Sequence, residues 1–174
     1  MKYFVQRALG AALFAGSLAI GSAASAQDAS RVAANTDWSV FVGDSPKECW
    51  GVSAPKETVN TRDGQPVAVR RGDILLFVTY RPGKAGEVSF IGGYPFAEGS
   101  TVELDVSGSK FTLFTQGEGA WAGSPEDDAK IIAAMRAGSE AAVTGRSGRG
   151  TQTKDRFSLL GFTAATQEAE TRCK

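Results

Sequence analysis

The chain has 174 residues, 19 Lys and Arg against 19 Asp and Glu, two cysteines, no histidine and 42% apolar side chains. That charge balance excludes an electrostatic case for nucleic acid or an anionic membrane surface, both of which call for an excess of cations. Without histidine, Ser-His and Cys-His nucleophiles, histidine metal sites and a histidine-held haem are excluded, which, once the two cysteines are paired, leaves carboxylate, lysine, tyrosine or serine–lysine chemistry.

Met1 to Ala26 has the layout of a secretory leader. Lys2 and Arg7 come first, then the apolar run Ala8 to Ile20, then the small-residue cleavage site Ala24-Ser25-Ala26. A membrane span needs about 20 strongly apolar residues, and this run is short and rich in Ala and Gly, so a retained N-terminal anchor is the alternative. No cysteine follows the small residues, which leaves lipid anchoring unsupported. The remainder, about 150 residues, suits one domain with its own core. Without Lys2 and Arg7 it carries two fewer cations than its 19 acids, a net charge of −2. With no second long apolar run, it is expected to be exported, periplasmic or secreted, with no transmembrane span.

Gln27 to Asn35 is small and polar and is predicted to be a flexible tail, with one folded domain over 36–174. Trp38, Val40 and Val42 alternate with Ser39 and Phe41 as a strand, and Gly43-Asp44-Ser45-Pro46 turns the chain into a second strand from Glu48 to Ala54. The polar stretch Pro55 to Gly64 is predicted as a loop and Val67 to Arg70 as a short strand. Ile74 to Tyr80 is apolar on both faces, which belongs in mid-sheet or under a helix. Further strands are expected at Glu87 to Ile91, at Thr101 to Val106, and, through the hairpin turn Ser107-Gly108-Ser109, at Phe111 to Gln116. Ala120-Trp121 precedes a strong helix start: Ser124 can cap, Pro125 suits the first helical position, and Glu126, Asp127 and Asp128 complement the dipole. Asp128, Ile131, Ile132 and Met135 share its inner face, and Gly138 ends it. Glu140 to Thr144 and Thr151 to Leu160 are predicted strands on either side of a glycine-rich loop, Gly145 to Gly150. From Phe162 a terminal helix carries Phe162, Ala165, Ala169 and Cys173 on one stripe. Short strands with turns every 8–12 residues and two small helices predict an all-β domain, a β-sandwich or flattened barrel.

Two cysteines in an exported protein usually pair. A Cys49–Cys173 bridge closes a loop of over a hundred residues, worth about 4–5 kcal/mol in the chain-entropy model, and fastens the terminal helix to the N-terminal strands. Two free thiols are the alternative; a reactive one needs an electropositive site, and Arg172 and Lys174 flank Cys173.

Candidate chemistry is sparse. Ser107-Gly108-Ser109-Lys110 matches S-x-x-K, but it falls on a predicted turn, where a serine opening a helix is required. Glu103 and Asp105 alternate outward on one strand, as a solvated face does, although a carboxylate pair can serve hydrolysis across a groove. Glu126 to Asp128 lack calcium-ligand spacing. Arg71-Gly72-Asp73 is the tripeptide read by integrins, and is also what a turn into a central strand needs. Arg146, Arg149, Lys154 and Arg156 gather around the glycine-rich loop as candidate binding residues for a phosphate, an acidic glycan or another partner. Trp121 is a candidate stacking residue, although such a tryptophan is more often core. No catalytic, cofactor-binding or metal-binding residue stands out.

As an ordered set, several pieces resemble one family: Asp37-Trp38-Ser39-Val40, Cys49-Trp50, Arg71-Gly72-Asp73-Ile74, Glu87-Val88-Ser89-Phe90, Gly93-Tyr94-Pro95-Phe96, Phe111-Thr112-Leu113-Phe114-Thr115, and Phe157-Ser158-Leu159-Leu160-Gly161-Phe162 before Cys173. The chain, from about Trp38 to Cys173, is similar to the invasion-associated locus B family of alphaproteobacterial exported proteins. That resemblance implies an all-β domain of the cell envelope, a role in host-cell entry or survival in pathogenic members, and no established catalytic residues. Many relatives have a further central cysteine pair that this sequence lacks. The reading reached is a non-enzymatic envelope protein whose surface binds a protein or a polysaccharide. The alternatives are a small-ligand carrier using the interior, or a carboxylate-dependent envelope hydrolase. A core closed by Trp38, Leu76, Phe90, Leu104 and Phe157 would leave no room for the carrier.

Overall fold

The computed structural model describes residues 29–174. The predicted leader and the first two residues of the predicted tail lie outside them. From Ser30 onward the tail is not a tail. Ser30–Asn35 (β1) pairs antiparallel with Trp38–Asp44 (β2), Asn35 opposite Trp38. Its side chains are polar or small because it is an edge strand, and a ladder is made by backbone groups whatever the side chains are.

Lys47–Ser53 (β3) follows, then Glu57–Arg62 (β4) and Gln65–Pro66 (β5). The predicted loop Pro55 to Gly64 thus contains a strand. The predicted strand at Val67 to Arg70 is not one: the β4–β5 ladder continues only as far as the Val67 N–H on the Asn60 carbonyl, at 3.0 Å. Leu75–Tyr80 (β6), Glu87–Ile91 (β7), Thr101–Val106 (β8), Ser109–Gln116 (β9) and Gly119–Trp121 (β10) come next. Helix α1 (Pro125–Ala137), strands Glu140–Arg146 (β11) and Gln152–Ser158 (β12), and helix α2 (Phe162–Arg172) complete the chain.

All strand pairings are antiparallel, in one sheet of order β1-β2-β3-β6-β7-β10-β9-β8-β11-β12-β4-β5. Both ends of that order are free, so the sheet is not a closed barrel. It folds back on itself: Phe90 of β7 and Phe157 of β12, far apart in the order, meet edge to face at 6.1 Å between ring centroids. The result is sandwich-like, with the inward side chains of both halves as core.

Trp38, Leu76, Phe90, Leu104 and Phe157 are all buried within that core. Helix α2 lies against β2 and β3 and presents Phe162, Ala165 and Ala169 inward, with the Phe162 ring edge-on to Trp38 at 4.9 Å. Gly161 opens the helix at φ 91°, and a Cβ there would stand 1.9 Å from the Asn35 carbonyl oxygen, so only glycine lets the helix start this close to β1. At the other end Cys173 is bonded to Cys49 of β3, Cα to Cα 5.7 Å, across 124 residues. No described cysteine is free. Helix α1 starts as its sequence dictates, with the Ser124 hydroxyl accepting from the Asp127 N–H, and buries Asp128, Ile131, Ile132 and Met135.

Candidate functional site

The packed interior overturns the carrier expectation, because the five large side chains that would have to part for a ligand fill the space between the sheet halves. What the molecule offers lies on its surface, in two places.

The first is the outward face of the sheet. Strand parity turns Val52, Phe77, Trp121 and Phe114 outward, and the ladders align them in one row through Ser89: Val52 opposite Phe77, Phe77 opposite Ser89, Ser89 opposite Trp121, Trp121 opposite Phe114. Phe114 is 59% and Trp121 37% exposed. Trp121 is therefore a surface residue, laid across Gly119, where a Cβ would come within 2.2 Å of its ring. Beside the row, Phe41 and Trp50 stack at 5.8 Å and 10° and line a shallow groove of about 600 Å³ with Val52, Leu75 and Phe77.

The second is an open cleft of about 670 Å³ at one end of the sandwich, between the 67–71 segment, the Gly93–Pro95 turn and the Ser147–Thr151 turn. Its base is a polar weld. Arg71, whose side chain is 5% exposed, forms two 2.7 Å hydrogen bonds to the carboxylate of Asp155, which is fully buried, and two more to the Gly92 carbonyl at 2.8 and 2.9 Å. The guanidinium lies 5.0 Å over the Tyr94 ring. The Tyr94 hydroxyl is 2.6 Å from that of Thr153, and burial pushes its phenol above the ordinary range. Arg62, Arg70 and Arg149 line the rim with one acid, Glu118.

The predicted cations do not form one patch. Arg146, Lys154 and Arg156 share the outward face of β11 and β12, with Arg156 held by Glu57 at 3.3 Å and Glu140 at 2.6 Å, whereas Arg149 lines the cleft. Nor does the glycine-rich loop form an anion nest, since the N–H groups of Ser147, Gly148 and Gly150 already donate to the carbonyls of Thr151, Pro95 and Ser147. Arg71 cannot serve an adhesive tripeptide, being inside and paired. Ser107 and Gly108 have φ of 50° and 94°, the mirror-image turn of the β8–β9 hairpin, with Lys110 on Glu103 at 3.0 Å. Asp105 accepts from the Gly108 N–H, Asp127 pairs with Lys130, and Asp128 turns inward to accept the Val88 N–H at 2.7 Å, so these carboxylates are engaged structurally. Sequence reasoning singled out Trp121 but missed the rest of the outward aromatic row and the rim arginines Arg62 and Arg70. Exposed aromatics at alternate positions were visible signals for the row; nothing local marked the rim.

The model of the family described as invasion associated locus B (IalB) protein matches residues 42–170. The chain belongs to the invasion associated locus B family. Among solved structures, invasion associated protein B from Bartonella henselae is similar in fold, with a TM-score of 0.56 and 15% identity over 82% of this IalB chain and 97% of that one. No curated protein matches. Membership places this IalB protein among invasion-associated proteins exported to the cell envelope, and neither the family nor the Bartonella protein is known as an enzyme. No helix among its described residues is long and apolar enough to cross a membrane.

Proposed function

We propose that this IalB protein is a non-enzymatic binding protein of the envelope, periplasmic or secreted, that receives a protein partner on the outward face of its sheet. The observation that carries this is the adjoining pair Phe114 and Trp121, exposed and continuous with Phe77, Val52 and the Phe41–Trp50 stack. Contiguous apolar surface of this kind marks interaction sites, and aromatic side chains are the commonest anchors there. Arg146, Lys154 and Arg156 lie outward on β11 and β12, where β12 packs across the core from β7, and they stand apart from this row. The engagement of Glu103, Asp105, Asp128 and Asp155 supports the non-enzymatic reading over a carboxylate hydrolase.

A photo-crosslinking residue in place of Phe114, in living cells, tests this, with Lys130 on the exposed face of α1 as control. Protein adducts are expected from position 114, not from 130, and should fall in a Trp121→Ala background. Adducts with polysaccharide alone would replace the protein partner with a glycan stacked on the rings. No adduct from position 114 would overturn the site.

A further inference from the structure

The segment Val67 to Arg71 has the side-chain alternation of a strand and no strand to pair with. Val67, Val69 and Arg71 are half-buried, and Ala68 and Arg70 are exposed. Its ends are pinned, by the Val67 N–H on the Asn60 carbonyl at 3.0 Å and by the Gly72 N–H on the Gly93 carbonyl at 2.8 Å. Between those pins, the backbone groups of Ala68, Val69 and Arg70 make no hydrogen bond within the described residues. The side chain of Arg71, welded to Asp155 and Gly92, holds the segment against the body of the sandwich. It is a short fixed edge, it lines the cleft of about 670 Å³, and in the facing turns the carbonyls of Gly93 and Pro95 and the N–H groups of Ser147 and Gly148 are already paired.

We propose that this edge is a strand-addition site for an extended acidic peptide. Backbone pairing with Ala68 to Arg70 supplies the unmade ladder. The acidic character follows from the rim. Arg62, Arg70 and Arg149 line the cleft, none lies within ion-pair distance of a carboxylate among the described residues, and Glu118 is the one acid in the described lining. Arg62 meanwhile is oriented by a 2.8 Å hydrogen bond to the Thr151 hydroxyl. A strand alternates its side chains, so a bound peptide sets carboxylates toward the arginines at every second position and apolar residues toward Val67 and Val69 between them. The site is separate from the outward aromatic row and does not depend on it.

The probe is a capped octapeptide of alternating Val and Glu, titrated into the isotopically labelled protein and read by NMR. Binding is expected, with shifts centred on Ala68 to Arg70 and slowed hydrogen exchange at those amides. The double variant Arg70→Ala, Arg149→Ala should weaken it about tenfold or more, as loss of two charge-assisted contacts does. Both positions are exposed and have no ion-pair partner among the described residues, so the variant keeps the fold, and unchanged shifts elsewhere check this. The same peptide N-methylated at alternate amides, and a Val/Lys version, should not bind. Absence of binding at millimolar peptide would overturn the proposal. So would equal binding of the N-methylated peptide, or binding of oligogalacturonate or inorganic phosphate in place of the peptide, since each makes the cleft an anion site without strand addition.

Discussion

Replacing both cysteines, Cys49→Ala with Cys173→Ala, tests what holds the C-terminal helix in place. The bridge spans 124 residues, almost the whole described domain, and a cross-link over that length lowers unfolded-chain entropy by about 5 kcal/mol equivalent at 25 °C. Small domains have a net stability of about 5–15 kcal/mol, so the loss is a large share of the total. At about 2–4 °C per kcal/mol for a domain of this size, the thermal midpoint should fall by roughly 10–20 °C. Both cysteines are buried in the apolar core, and alanine keeps that surface apolar, so the native fold should persist. Urea unfolding followed by far-ultraviolet circular dichroism would show a lower midpoint and a steeper slope, because the uncrosslinked denatured chain exposes more surface. A midpoint shift below about 2 °C with an unchanged slope, on the same size scaling, would refute the idea that the tail is fastened chiefly by this bond.

Arg71→Ala leaves Asp155 buried without a counter-charge and should cost about 3–5 kcal/mol by chemical denaturation, whereas Arg71→Met with Asp155→Leu should recover part of that loss; equal costs for both would show that the pair is not a buried charge weld. Asp128 is 8% exposed, and burial raises its carboxyl above the ordinary 3.8 despite the Val88 N–H. The folded state therefore holds that proton more tightly than the unfolded chain, so this contribution favours folding fully below 3.8 and is lost as pH rises through the raised value. Asp128→Asn keeps an oxygen for Val88 and removes the titration, so its stability relative to wild type should improve between pH 3 and pH 7 in thermal melts; a constant difference would refute the assignment. The Tyr80 hydroxyl is buried beside Thr166 and Arg136 but makes no hydrogen bond of good geometry among the described residues, and burial pushes its pKa up. Tyr80→Phe should thus leave stability unchanged or raise it by about 1 kcal/mol, and a loss on denaturation would reveal a partner.

Side-chain pattern carried a great deal of this fold. Thr101–Val106 and Glu87–Ile91 were legible because alternation has no other explanation in a half-buried strand, and α1 because cap, proline, acids and apolar face all agree. The stripe of Phe162, Ala165, Ala169 and Cys173 declared both the terminal helix and the surface it had to cover. Polar edge strands escaped. Nothing in Glu57–Arg62 reads as a strand, and it is one because β12, some ninety residues later, offers it a ladder from Arg156 opposite Glu57 to Gln152 opposite Thr61. Val67 to Arg70 erred in the other direction, having the composition of a strand without a neighbour.

For the candidate sites the division is similar. Composition excluded histidine chemistry, and the two cysteines in an exported chain pointed to their bond, since both are local properties of residue type. Which charges are spent internally was decided only by the folded chain. Arg71 and Asp155, 84 residues apart, look like surface ions in sequence and become the least exposed ion pair among the described residues. Arg149 and Lys154 look like one patch and are turned to different sides by strand parity and a turn. Alternation announces which side of a strand faces inward, but which strands become neighbours is set by long-range pairing, and the aromatic row and the cleft are both products of that pairing.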